Sequence, residues 1–239
     1  MTATASAERA LRRGGVLMAV GLLMVAGVYV RALLFTPEEA TQGLAQKIFY
    51  IHAPSAWVAL YLAYGIVGIF SVLYLFLRDP RLDLLASSSA EVGTVFTTVV
   101  LVTGPIWGKT IWGAWWTWDA RLTSTLFLYF IYLAYLVLRS AVEEPGRRAR
   151  YSAVLGILGA LLVPFIHMTV YLFRTLHPMP VVLQPGRPRV PGAMLVTILY
   201  SFLAFTVFYF GLLWRRYAWA RLAAARAQGD AEGGADATR

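Results

Sequence analysis

Cysteine is absent from this 239-residue chain. That absence removes disulfides, zinc–thiolate sites, iron–sulfur clusters and a self-attached c-type haem, which requires Cys-x-x-Cys-His. Charge is scarce too: 14% of residues are charged and 59% are apolar, against about 25% charged in an ordinary soluble domain. A water-soluble fold of this size could not hide so much apolar surface, so a soluble enzyme is excluded. There is no Walker loop, no Gly-x-Ser-x-Gly, no His-Glu-x-x-His and no Asp-rich metal box, which leaves ATP hydrolysis and the common hydrolase chemistries without residues. Any metal chemistry falls to histidine, carboxylate or an imported group. The net charge of +9 comes from 21 Lys and Arg against 12 Asp and Glu, with the bases scattered singly between apolar blocks. That is the pattern of loops in a multispanning membrane protein, not of a nucleic-acid surface, and no nucleic-acid partner is expected.

Long apolar runs supply what the composition implies. Six stretches, at about 14–30, 55–77, 84–108, 122–138, 151–173 and 190–214, approach the roughly 20 residues that a helix needs to cross a hydrocarbon layer. The third reaches back to 84 only if Glu91 lies near the interface, where snorkelling to water and proton relay are both open to it. Lipid offers backbone amides no partners, and the short alternating segments of a barrel are absent, so helices are expected. The predicted fold is an all-α integral membrane protein: one bundle of six transmembrane helices over residues 1–226, with an Ala/Gly/Asp-rich disordered cytoplasmic tail at 227–239. Gly65, Gly68, Gly156 and Gly159 are small residues that could let helices approach closely. Fourteen Lys and Arg fall on the side of the termini and seven on the other, which predicts N-in and C-in. The first span has a basic flank, but its apolar run exceeds a signal-peptide core and no Ala-x-Ala follows, so it reads as an anchor.

Six of the eight tryptophans lie on the predicted outer side, five of them within the twelve residues 107–118. An aromatic belt explains Trp57, Trp214 and Trp219. It explains the cluster less well, because a belt needs one or two indoles per helix end. If the loop between helices 3 and 4 is helical, Trp112, Trp115, Trp116 and Asp119 share one stripe. Such a stripe would serve either as an interfacial anchor helix or as a bed for a large planar apolar ligand, with Lys109 or Arg121 meeting anionic groups at its rim. His52 and His177 lie on the same side, each beside a proline. Each could be a hydrogen-bonded bystander, or the pair could ligate haem iron from opposite faces as neutral imidazoles. His167, inside the fifth stretch, reads as a satisfied buried histidine.

The run Trp112-Gly113-Ala114-Trp115-Trp116-Thr117-Trp118-Asp119-Ala120-Arg121-Leu122-Thr123 resembles the tryptophan-rich WWD signature of bacterial haem-handling proteins for cytochrome c maturation. The Asp-Ala-Arg-Leu-Thr continuation, the segment Phe49-Tyr50-Ile51-His52-Ala53-Pro54-Ser55-Ala56-Trp57 and the six-span length resemble the haem exporter protein C family, CcmC, more than its neighbours CcmF and CcsA. The resemblance covers most of the chain. It implies that His52 and His177 are axial ligands of a transiently bound haem b, and that Trp112 to Asp119 holds the macrocycle at the periplasmic face of the inner membrane. On this reading Trp112, Trp115, Trp116 and Trp118 pack on the ring, while Asp119 and Arg121 orient the loop or the propionates. The family often shows Trp-Trp-Asn-Thr-Leu-His-Gln around its second histidine, where this chain has Leu172-Phe173-Arg174-Thr175-Leu176-His177-Pro178. Arg174, in the place of the asparagine, could then pair a propionate. The resemblance further implies delivery of haem to the periplasmic haem chaperone CcmE, assistance by the small membrane protein CcmD, and ATP hydrolysis only in the ABC subunits CcmA and CcmB. The alternative is a bis-histidine b-type cytochrome with permanently held haem, although such carriers commonly bury their ligands deep within a bundle. A haem-free scaffold or transporter is a third reading, and these spans offer few of the mid-bilayer polar sites that transporters use.

Overall fold

The computed structural model describes residues 3–182, 184 and 186–236. Among them there is no strand, and six helices are long and apolar enough to cross a membrane. In chain order the helices are α1 (Ala3–Leu34), α2 (Phe49–Ala56), α3 (Tyr64–Leu77), α4 (Pro80–Trp112), α5 (Ala120–Ala141), α6 (Pro145–Leu172) and α7 (Gly192–Asp236). A 3₁₀ turn at Leu44–Ile48 leads into α2, and a π-helical stretch at Trp57–Ala63 joins α2 to α3, so that Leu44–Leu77 is one continuous span. Pro54 in α2 has no N–H to give, and the wider π geometry begins three residues later.

Most helix ends are written in the sequence. Asp79, Asp119 and Glu144 cap α4, α5 and α6, their carboxylates accepting backbone N–H groups of the first turn. Pro80 and Pro145 occupy the first turn, where a missing N–H costs nothing. Gly113 closes α4 in the left-handed region at φ 74°.

The helices are longer than the uncharged stretches, which changes two expectations. His52 lies within α2, inside the second span, because helix forms through Leu44–Ser55 ahead of the expected start at 55. The tryptophan-rich segment 113–119 is the loop expected between the third and fourth spans, and it is irregular, so the stripe that a helix would have made of Trp112, Trp115, Trp116 and Asp119 does not form; Gly113 ends one helix and Asp119 caps the next. Helix α7 continues to Asp236, through most of the stretch expected to be disordered.

The core is aromatic and hydroxylated. Tyr64 of α3 stacks on Tyr132 of α5 with centroids 3.7 Å apart and planes 7° from parallel, and its hydroxyl bonds to Thr97 of α4. Close approach between helices uses three of the four expected glycines: a side chain at Gly68 would meet Ala160, at Gly156 Ser71, and at Gly159 Tyr132, whereas Gly65 faces open space. Helices α1 and α7 approach more closely still, since a Cβ at Gly21 would strike the Phe208 backbone and one at Gly211 the Met18 backbone. At the end of the bundle that holds the 78–79 and 142–144 turns, Asp83 pairs with Arg139 at 2.6 Å. Glu91 pairs with Arg216 of α7, Nη2 to Oε1, at 2.7 Å, so a cation accompanies this half-buried carboxylate.

Candidate functional site

At the opposite end the chain builds a cavity that opens at its mouth to the outside. Helix α4 forms one wall from Thr97 to Trp112, α2 and the π segment form another from His52 to Leu60, and α5 contributes Arg121, Leu122 and Thr125. Gln42 closes the rim before the second span, Trp116 comes from the 113–119 segment, and Leu176, His177 and Pro178 come from the connection between α6 and α7. The lining is mostly apolar, and Arg121 is the one formally charged side chain in it among the described residues.

The two histidines singled out in the sequence share this cavity. They arrive differently: one on a helix, the other on a loop. His52 is buried, its Nδ1 lies 2.9 Å from Thr103 Oγ1, and the Trp107 ring meets its ring edge-on at 5.8 Å and 69°. His177 turns Nδ1 to the Pro178 carbonyl at 2.9 Å, and its backbone N–H donates to Thr175 Oγ1 at 3.1 Å. A carbonyl can only accept, so His177 Nδ1 carries the proton and Nε2 keeps its lone pair. Burial and the nearby Arg121 cation push the His177 imidazole down to about 4, against the opposing pull of the Pro178 carbonyl and the Asp119 carboxylate. At neutral pH it is therefore uncharged, the form that ligates a metal.

The other candidate residues divide. Trp112 and Trp116 line the cavity; Trp115 and Trp118 do not, and are 60% and 77% exposed. Trp116 meets Trp118 edge-on at 5.8 Å, and together with Leu101, Pro105 and Leu126 the two indoles border a shallow outer recess. The divergence follows from the irregular backbone: without a helix, neighbouring side chains leave the segment in different directions. Asp119 does not line the cavity either, its carboxylate being taken by the N–H groups of Arg121 and Leu122 and by the Thr117 hydroxyl. Its role here is to start α5, two residues before Arg121. Arg121 lines the cavity and donates Nη1 to the Ile166 carbonyl at 3.2 Å. Arg174 is exposed and away from the cavity. His167 is hydrogen-bonded as expected, to Tyr61, but it is half-exposed where burial was expected.

Sequence reasoning missed several wall residues. Trp107 was visible only as a member of the indole cluster, yet it lines the cavity, packs on His52 and donates Nε1 to Gln42 Oε1 at 3.0 Å. Gly104 also lines the cavity, and a Cβ there would come 3.2 Å from His52 Cε1, so the bare backbone makes room for the imidazole. Nothing in the local sequence marks Gln42, Thr103 or Gly104, because their part depends on which face of α4 meets α2.

The physical sum is a deep apolar slot with two imidazoles, flat indoles and one cation. The family model described as heme exporter protein C, CcmC, matches residues 3–230. The heme exporter protein C of Bradyrhizobium diazoefficiens is 38% identical over 188 residues, 79% of this chain and 70% of that protein. That of Haemophilus influenzae is 36% identical over 202 residues, 84% of this chain and 79% of its own length. That of Escherichia coli K12 is 36% identical over 145 residues, covering 60% and 58%. With the family model spanning nearly its whole length, this chain belongs to the haem exporter protein C family of membrane proteins.

Proposed function

We propose that this protein binds haem b in the cavity between α2, α4 and α5 and passes it to the periplasmic haem chaperone CcmE for cytochrome c maturation. Membership in a family of haem exporters supports a role in haem handling for cytochrome c biogenesis, as a transfer component and not a catalytic enzyme. The observation that carries the finer reading is the meeting of His52 and His177 in one cavity. Neutral imidazoles from a helix and from a loop suit axial ligation of iron lying between them. Trp107, Trp112 and Trp116 offer ring faces and edges to the macrocycle, and Arg121 is placed to meet a propionate. The cavity mouth suits a carrier whose cargo must be reached by an acceptor. In this reading Trp115, Trp118 and Arg174 lie outside the slot and act, if at all, at its approaches. The site faces the periplasm at the inner membrane, as the asymmetry of basic residues predicts, with CcmD, CcmA and CcmB as the further partners.

The test is spectroscopic. Purified protein should carry haem with a low-spin bis-histidine spectrum, and His52→Ala and His177→Ala should each shift the Soret band and lower haem content. Unchanged spectra in both variants would defeat the ligand assignment. Co-expression with tagged CcmE then reads delivery: covalent haem on the chaperone should require this protein and fall in both variants.

A further inference from the structure

We propose that Thr103 is a positioning residue that fixes His52 as the Nδ1–H tautomer and so reserves Nε2 for iron. This rests on the haem-ligand reading of His52. Thr103 Oγ1 lies 2.7 Å from the Val99 carbonyl, one turn back along α4, and 2.9 Å from His52 Nδ1. The hydroxyl has one proton, and the carbonyl has none to offer. We assign that proton to Val99, the usual back-bond of a helical threonine, with the Val100 carbonyl also 3.5 Å away. Toward His52 the hydroxyl then presents a lone pair, and Nδ1 is the donor. A neutral imidazole carries a single ring proton, and with it on Nδ1 the Nε2 lone pair is free. Among the described residues Nε2 has no hydrogen-bond partner.

The same face of α4 also fixes the plane of the ring. Trp107, one turn beyond Thr103, packs edge-on to the imidazole at 5.8 Å. Gly104 leaves the space that Cε1 occupies, since a Cβ would approach to 3.2 Å. Thr103 thus sets which nitrogen is bare, while Trp107 and Gly104 set where it points. The Pro178 carbonyl imposes the same tautomer on His177, so both rings present Nε2. Outer partners of this kind are worth about 10–100-fold in metal affinity.

The experiment compares Thr103→Val, which keeps shape and removes the acceptor, with Thr103→Ser, which restores it. In haem-free protein carrying ¹⁵N-labelled histidine, the His52 signals, assigned by their loss in His52→Ala, should report an Nδ1–H ring in the parent and in Thr103→Ser. In Thr103→Val the Nε2–H form should become substantial. Titrated with haemin, Thr103→Val should bind about tenfold more weakly, with Thr103→Ser within about twofold of the parent. Should Thr103→Val fail to fold, Thr103→Ala makes the same comparison. A His52 ring that stays Nδ1–H in the valine or alanine variant, or haemin affinity within twofold of the parent in that variant, overturns the proposal. The two readings fail separately: a haem spectrum indifferent to His52→Ala defeats the ligand assignment, while the ¹⁵N spectrum of haem-free protein still decides what Thr103 does.

Discussion

Trp107 Nε1 donates to Gln42 Oε1 at 3.0 Å, tying the rim segment ahead of the second span to the indole that packs on His52. Gln42 also lines the cavity, so one hydrogen bond joins the mouth of the site to its ligand. Replacing Gln42 with Leu leaves a part-buried indole donor without its partner, a loss of about 1 kcal/mol. If that loss falls on the bound state, haemin affinity should drop about fivefold in Gln42→Leu. Gln42→Glu, which keeps an acceptor, should lose less. Equal affinities for parent and Gln42→Leu in a haemin titration would show that the latch is not part of binding.

Asp119 tests whether a carboxylate in the indole-rich signature serves haem or helix. Its oxygens are occupied by backbone N–H groups at the start of α5 and by Thr117. Asp119→Ala should therefore destabilise the protein by about 1 kcal/mol, read as a lowered thermal midpoint in detergent. Asp119→Asn should recover most of that midpoint, because asparagine caps as well as aspartate does. The Soret maximum should be unchanged in both. A charge-specific role at the haem would instead separate asparagine from aspartate in the spectrum.

The four indoles from Trp112 to Trp118 should not behave alike. Trp116 lines the cavity and its buried Nε1 has no partner among the described residues, whereas Trp115 and Trp118 are mostly exposed. Trp116→Ala should weaken haemin binding about tenfold or more, since a buried aromatic face is worth several kcal/mol on truncation. Trp115→Ala and Trp118→Ala should stay within about threefold in the isolated protein. Equal losses at all four positions would argue for a contiguous indole bed of the kind a helical segment would make.

Those contrasts also show what could be read in advance. The apolar runs gave the six spans because their length is set by the bilayer, and the cap residues Asp79, Asp119 and Glu144 stand where helices begin. His52 and His177 were found by residue type and by the side of the membrane expected for them. The direction of each indole was not legible, because it turns on Gly113 ending α4 and leaving an irregular segment, against the 3.6-residue period suggested by Trp112, Trp115, Trp116 and Asp119. The helical setting of His52 was missed because the second span was begun at 55, whereas the helix runs through Pro54 into π geometry. Thr103 and Gly104 carry no local signal, and their part exists only once α4 is laid against α2.

Glu144 supplies a pH dependence whose sign can be worked out. The N–H groups of Gly146 and Arg147 hold its carboxyl below the usual value of 4.5. The folded state therefore binds this proton less readily than the unfolded one. Its contribution to stability is present above about pH 4.5 and is lost as pH falls through the depressed folded value. Glu144→Gln cannot titrate, so the difference in thermal midpoint between parent and variant should shrink as pH falls from 6 toward 3. A constant difference across that range would show that the cap is not held by charge.

Asp83 and Arg139 join α4 to α5 at the far end of the bundle from the cavity, with Nη1 2.6 Å from Oδ1 and Nη2 2.9 Å from Oδ2. Their side chains are 13% and 14% exposed, so solvent screens the pair little and either charge left alone would be costly. Removing one partner should cost about 3–5 kcal/mol, and removing both for apolar residues of similar volume should cost far less, because the expense lies in the orphaned charge. Asp83→Leu and Arg139→Met should therefore each lower the thermal midpoint sharply, and the double variant should recover much of the loss. Haemin affinity should be nearly unchanged in the double variant, since neither residue lines the cavity. Additive losses in the double variant would mean that the two side chains stabilise the helices through separate contacts and not as a pair.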